Sequence, residues 1–208
     1  GRGVRFHMPA TGDLFALPPN PHPFDSLGAN LTTTAAMEFL NNASRHRPAW
    51  LLLALSALLL EAAALYFQYG AMQLQPCVLC IYERVAVLVI LLAGLLGASA
   101  PRLPVIRWTA MLLWGASAAW GLLLALQHSG IQQHPSTSSC DFLANLPRWA
   151  KLDEGFPAMF SPTGFCDEIQ WQFLGYSMPQ TMVAIYALYL LVLAAVVAAQ
   201  FASGKPAR

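Results

Sequence analysis

What this sequence has least of is charge. Only 10% of its 208 residues are Asp, Glu, Lys or Arg, against 57% hydrophobic. A soluble globular domain carries about 25% charged residues, and a chain of this length still needs a solvated surface. The deficit therefore excludes an ordinary soluble core and points to a surface that faces lipid. Net charge is +1, which argues against a generally basic nucleic-acid binder. Also missing is the alternation over about ten residues that marks transmembrane strands.

In place of charge there are four long apolar stretches, at about 50–69, 82–100, 108–127 and 181–201. A bilayer crossing takes roughly 20 apolar residues, and the prevalence of Leu and Ala favours helix. Beyond Glu83 and Arg84 at the start of the second stretch, Glu61 is the sole charge inside them. The expected fold is all-α: an integral membrane four-helix bundle over residues 37–203, with two external cysteine-bearing loops. The short turn Ala100-Pro101-Arg102-Leu103-Pro104 makes the second and third spans antiparallel neighbours.

Charge also sets the expected orientation. Arg45 and Arg47 precede the first span, Arg102 and Arg107 lie between the second and third, and Lys205 and Arg208 follow the fourth. These segments share one side of an even-numbered bundle, which the positive-inside rule makes cytoplasmic. The 69–80 loop carries no charge. The 128–178 loop carries Arg148 and Lys151 against Asp141, Asp153, Glu154, Asp167 and Glu168. Both termini are thus expected inside and both loops outside.

Residues 1–36 differ, with Pro9, Pro18, Pro19, Pro21 and Pro23. They lack an apolar core behind a basic start, so they do not read as a signal peptide. A flexible tail is expected, with a docking motif at Phe24 to Leu27 as the alternative. Residues 204–208 read as a short cytoplasmic tail. Met37 to Leu40 reads as a short interfacial helix. The 128–178 loop is long and aromatic enough to be structured, and Ile169 to Leu174 is expected to lie along the membrane surface.

The four cysteines are also notable for where they are absent. Cys77, Cys80, Cys140 and Cys166 fall in the two external loops, and none lies in a span or a cytoplasmic segment. Free cysteine is common in apolar interiors, so this distribution suggests oxidative chemistry. Three readings compete: a structural disulfide framework, a zinc site and a redox relay. A Cys-x-x-Cys ring is small and reducible, hence a poor staple. Zinc favours a second close pair, whereas Cys140 and Cys166 are 26 positions apart. The redox reading is favoured and no metal is expected.

The neighbours of the pair support that reading. With the second span beginning just after Cys80, that residue lies near a helix N-terminus, where free amides stabilise a thiolate. Arg84, at i+4, adds a guanidinium on the same face, although a snorkelling role would also place an arginine there. Glu83 opposes the thiolate unless it points to water. His128 closes the third span at the depth of Cys80, where a lone histidine is ordinarily interfacial. Glu61, mid-span, is a functional candidate by position, with a hydrogen-bonded packing role as the plainer reading.

The run Pro76-Cys77-Val78-Leu79-Cys80-Ile81-Tyr82-Glu83-Arg84 resembles the DsbB family of membrane disulfide-generating quinone reductases. Gln127-His128, Cys140-Asp141-Phe142, Gln170 to Gly175 and Met178-Pro179-Gln180 match as well. The resemblance covers about 37–200, and residues 1–36 depart from the family pattern. It implies a protein-disulfide:quinone oxidoreductase in a bacterial inner membrane, using ubiquinone or menaquinone. A DsbA-like periplasmic thioredoxin-fold protein would be its partner, and the enzyme would be a monomer. Cys140 would form the mixed disulfide with that partner, opening a Cys140–Cys166 bond. Electrons would pass through a Cys77–Cys166 bond to Cys77 and Cys80. The Cys80 thiolate would face the quinone, Arg84 would hold a quinone oxygen with His128 nearby, and the first and fourth spans would form a groove for the tail. A specialised paralogue, a vitamin K epoxide reductase-like thiol–quinone enzyme and a non-enzymatic disulfide-stabilised scaffold remain the alternatives.

Overall fold

The fold is seen in a computed structural model that describes residues 35–70, 72–134 and 155–202. The proline-rich 1–34 segment, Cys140 and the C-terminal residues from 203 onward lie outside the described residues.

Four helices dominate: α1 (Arg47–Tyr69), α2 (Val78–Ser99), α3 (Pro104–Gln133) and α4 (Met178–Ala202). Each is long and apolar enough to cross a membrane. Each begins several residues before its apolar stretch. Proline occupies the first turn of α1 and of α3, where its missing N–H costs nothing. Cys77 caps α2, its sulfur accepting from the Cys80 amide at 3.4 Å. The third helix has 30 residues, about 45 Å at 1.5 Å per residue. It therefore reaches beyond a bilayer core, and His128 lies inside it rather than at its end. Residues 35–43 are helical, a longer stretch than the expected Met37 to Leu40.

The chain packs in sequence order, α1 on α2, α2 on α3 and α3 on α4, the first two contacts following from short antiparallel connections. Small residues set the approach. A Cβ on Gly94 would lie 2.7 Å from the Ala54 backbone nitrogen, and one on Gly97 would sit inside the Trp50 ring. Without a solvent drive between helices in lipid, such close contact is what holds spans together. Buried Ala57, Ala86, Ala93, Ala110, Ala118 and Ala125 continue the seam, while leucines such as Leu52, Leu59, Leu112, Leu123 and Leu191 point outward. α1 and α4 do not close on one another in this way. Ser56 and Tyr189 bridge them at 2.9 Å, and Gln200 donates to Ser44 at 2.9 Å.

Between α3 and α4 the chain makes a helical turn at Pro157–Phe160 and a two-stranded hairpin, β1 (Gln172–Phe173) with β2 (Tyr176–Ser177), in antiparallel register. Leu174 and Gly175 turn it with φ of 52° and 84°, the doubly positive pattern of a tight hairpin. Phe173, Leu174 and Tyr176 are exposed, and Trp171 stacks between Phe67 and Phe173. The segment from Ile169 is thus a hairpin with aromatic flanks.

Candidate functional site

The cysteine end of the bundle is assembled from two loops bound to each other. The amides of Thr163 and Gly164 donate to the Pro76 carbonyl at 2.8 and 3.1 Å. The Gln75 amide donates to Gln170 Oε1 at 2.8 Å. Gly164 has no room for a side chain, because its Cβ would strike the Gln75 carbonyl. This zipper brings Cys166 into one small buried cluster with Cys77, Leu79, Leu124 and Ile131. Cys166 is disulfide-bonded, whereas Cys77 and Cys80 are free thiols with their sulfurs 3.1 Å apart. A bonded and a reduced cysteine therefore share a cluster, although 89 positions separate Cys77 from Cys166.

Behind the pair stand two helical neighbours. His128 Nε2 lies 3.5 Å from Cys77 Sγ, and its Nδ1 lies 3.1 Å from Glu83 Oε1. All three groups are buried. A carboxylate only accepts, so Nδ1 carries the donated proton and Nε2 is left to face the sulfur. The ring can then take a proton from the Cys77 thiol or, once protonated, donate to its thiolate. The Glu83 backbone carbonyl in turn accepts from Tyr186 of α4 at 2.7 Å.

Two expectations change here. α2 begins at Val78, so the free amides of its first turn serve Cys77, not Cys80. The Cys77 thiol is pulled down to about 4, chiefly by the hydrogen bond from the Cys80 thiol and then by the His128 ring, against the opposing effect of burial. Glu83 does not point to water; it is buried against His128, because α3 crosses α2 at this level. The plainer reading of His128, an interfacial residue, fails for the same reason.

Beside the pair a cavity of about 180 Å³ opens between the cysteine-end halves of α1 and α4. Cys77, Cys80, Glu83, Arg84 and His128 line one wall, with Ala64, Phe67, Met182 and Ile185 opposite. Arg84 donates through one terminal nitrogen to the Met159 carbonyl at 2.7 Å. Its Nε lies 3.6 Å from Glu61 Oε2. Neither Nε nor Oε2 has a hydrogen-bond partner, though both are buried. Glu61 is therefore the counter-charge of Arg84. Sequence reading missed this pairing, since residues 61 and 84 lie on different helices; the signal available was a lone acid and a lone base at similar distances from the same loop. A second cavity, of about 300 Å³ and lined by Trp50, Leu53, Ser56, Tyr189 and Val196, lies further along the α1–α4 groove. Of the site residues, only Cys140 lies outside the described residues.

Four membrane-length helices with a thiol pair at one end, beside a disulfide-bonded cysteine, define a multi-pass membrane thiol–disulfide protein. The family model for disulfide bond formation protein DsbB matches residues 46–196, and the chain belongs to that family. It is 56% identical to disulfide bond formation protein B of Psychromonas ingrahamii over 156 residues, 74% of this chain and 84% of that protein. The same-named protein of Photorhabdus laumondii is 53% identical over 170 residues, 81% of this chain and 99% of the relative. That of Aeromonas hydrophila is 51% identical over 170 residues, 81% and 98% of the two chains.

Proposed function

We propose that this disulfide-forming oxidoreductase takes two electrons from a DsbA-like periplasmic protein and delivers them to a membrane quinone. The observation that carries the reading is the shared position of Cys77. One side of it meets Cys166 in a buried cluster, and the other meets the cavity through Cys80. A pair that only stapled loops would need neither the cavity nor the histidine. On this reading the cysteine end faces the periplasm of an inner membrane and both termini face the cytoplasm, as the Lys and Arg distribution supports.

The partner's thiolate attacks Cys140 of a Cys140–Cys166 disulfide and releases Cys166. The freed Cys166 thiolate attacks oxidised Cys77 and releases Cys80. Resolution within each pair leaves the partner oxidised and Cys77 and Cys80 reduced. His128 moves the proton at Cys77 Sγ, held in register by Glu83. The cavity suits a quinone head group: its walls are largely apolar, and the buried Arg84 Nε lacks an acceptor there. A quinone held there would supply the two-electron, two-proton acceptor that Cys77 and Cys80 need to close their disulfide. Arg84 would hold a ring oxygen, Cys80 would present its sulfur to the ring, and the α1–α4 groove would take the tail. The specialised-paralogue alternative differs in partner rather than in chemistry.

Purified protein in mild detergent, supplied with reduced DsbA and ubiquinone, should reduce the quinone, with menaquinone as the parallel assay. Cys80→Ser and Cys140→Ala should each lower turnover to background, and Arg84→Gln should raise the quinone KM. Full turnover in both cysteine variants would overturn the reading. A scaffold would reduce no quinone in any form, and the wild type alone decides that.

A further inference from the structure

The groups that meet behind the cavity are also a metal-ligand set. Cys77, Cys80 and His128 each bring one donor atom, all within 4.8 Å of one another. Zinc sits about 2.3 Å from thiolate sulfur and about 2.0–2.1 Å from imidazole nitrogen. Tetrahedral angles then space sulfur and nitrogen roughly 3.6 Å apart and two sulfurs roughly 3.8 Å apart. The Cys77–His128 separation of 3.5 Å already matches, and the sulfurs at 3.1 Å need to part only slightly. A second, independent feature is Glu83 on His128 Nδ1 at 3.1 Å. A metal-bound histidine almost always gives its other N–H to such a carboxylate. All three residues also line the cavity, which has room for a water as fourth ligand. Sequence spacing concealed this set, because the third ligand comes from α3 rather than from a second cysteine pair.

We propose that the reduced form of this protein binds one thiophilic divalent ion, of the Zn²⁺ and Cd²⁺ class, through Cys77, Cys80 and His128, with Glu83 orienting the histidine. Binding displaces the protons that the two thiols still hold and changes no oxidation state. Disulfide formation between Cys77 and Cys80 consumes both sulfur ligands, so metal and disulfide exclude one another. An ion held here keeps the pair reduced and blocks its reoxidation. The binding itself goes beyond the electron-transfer reading and does not depend on it.

The test is anaerobic titration of the full chain in detergent with Cd²⁺, read by the ultraviolet sulfur-to-cadmium band and by metal content. The reduced protein should bind one Cd²⁺ per chain tightly, with Cys140→Ser unchanged and Cys80→Ser without the tight site. Glu83→Gln should bind about 10- to 100-fold more weakly, the usual cost of losing such a carboxylate, and His128→Gln at least as weakly. Oxidised wild type should bind none, a comparison that needs no substitution and so survives a variant that fails to fold. No tight binding by reduced wild type, equal binding by the oxidised form, or wild-type affinity in both His128→Gln and Glu83→Gln would each overturn the proposal. Tight binding by protein that reduces no quinone would leave this site standing and break the electron-transfer reading instead.

Discussion

The two ends of this bundle are built on opposite rules. Around Trp50, Gly97 and Trp114 the helices meet mostly through rings and small residues, with Arg107 of the first turn of α3 as a lone buried charge among the described residues there, and the Trp50 indole donates to the Ser44 carbonyl at 2.8 Å. Around Cys77 the same helices bury Glu61, Glu83, Arg84 and His128. Charges cost several kcal/mol each to desolvate and are rarely the most stable choice. The first end is what packing in lipid needs. The second is what packing would avoid, so its residues are there for chemistry. Each of the following measurements breaks or sharpens that contrast.

The largest effect belongs to Cys77. In the unfolded chain its thiol titrates near 9.0, and in the fold it is pulled down to about 4. A depressed folded value means that the thiolate stabilises the reduced protein fully above about 9, and that this stabilisation is lost as pH falls through about 4. Thiolate absorbance of protein reduced only at this pair should therefore still be present at pH 6. Cys80→Ala should move the midpoint up further than His128→Ala does, because the Cys80 hydrogen bond is the leading cause. A midpoint near 9 in the wild type would make Cys77 an ordinary buried thiol.

Next comes the Glu61–Arg84 pair. Removing one member of a buried pair strands the other and costs about 3–5 kcal/mol. Glu61→Leu should thus destabilise the protein strongly in thermal melts. Adding Arg84→Met should restore much of that stability but not turnover. Stability unaffected by Glu61→Leu would mean that the pair, at 3.6 Å, is not coupled. At the other end, Gly97→Val should cost about 1–3 kcal/mol by overpacking against Trp50. It should leave quinone KM unchanged below the melting temperature. A changed KM would show that the two ends are not independent.

How much of this was legible in the sequence follows the same contrast. The spans were visible because lipid imposes about 20 apolar residues on each, and the sequence neighbours had to pack antiparallel. Cys77, Cys80 and Arg84 were visible because they share one local motif. Glu83 was left without a partner because His128 is 45 positions away on α3. Glu61 lacked a role because Arg84 is on another helix. The start of α2 was placed after Cys80 rather than at Val78, since the apolar run begins later than the cap. That shift gives the cap amide to Cys77, while the Cys80 thiol and the His128 ring do more to make Cys77 the favoured thiolate. Local motifs and lipid-imposed lengths can be read along the chain, whereas charge pairs across helices cannot.

The smallest effect separates position from chemistry. Tyr186 is fully buried on α4, and its hydroxyl donates to the Glu83 backbone carbonyl rather than to any reacting group. Its ring also fills the space that Gly121 leaves open. Tyr186→Phe keeps the ring and removes one hydrogen bond, which costs about 1 kcal/mol and lowers Tm by a few degrees. Because that bond fixes the first turns of α2, the variant should also loosen His128 from Cys77 and raise the Cys77 midpoint slightly. A lower Tm with an unmoved Cys77 midpoint would assign Tyr186 to packing alone. A moved midpoint would mean that α4 helps to set the thiol through a backbone carbonyl.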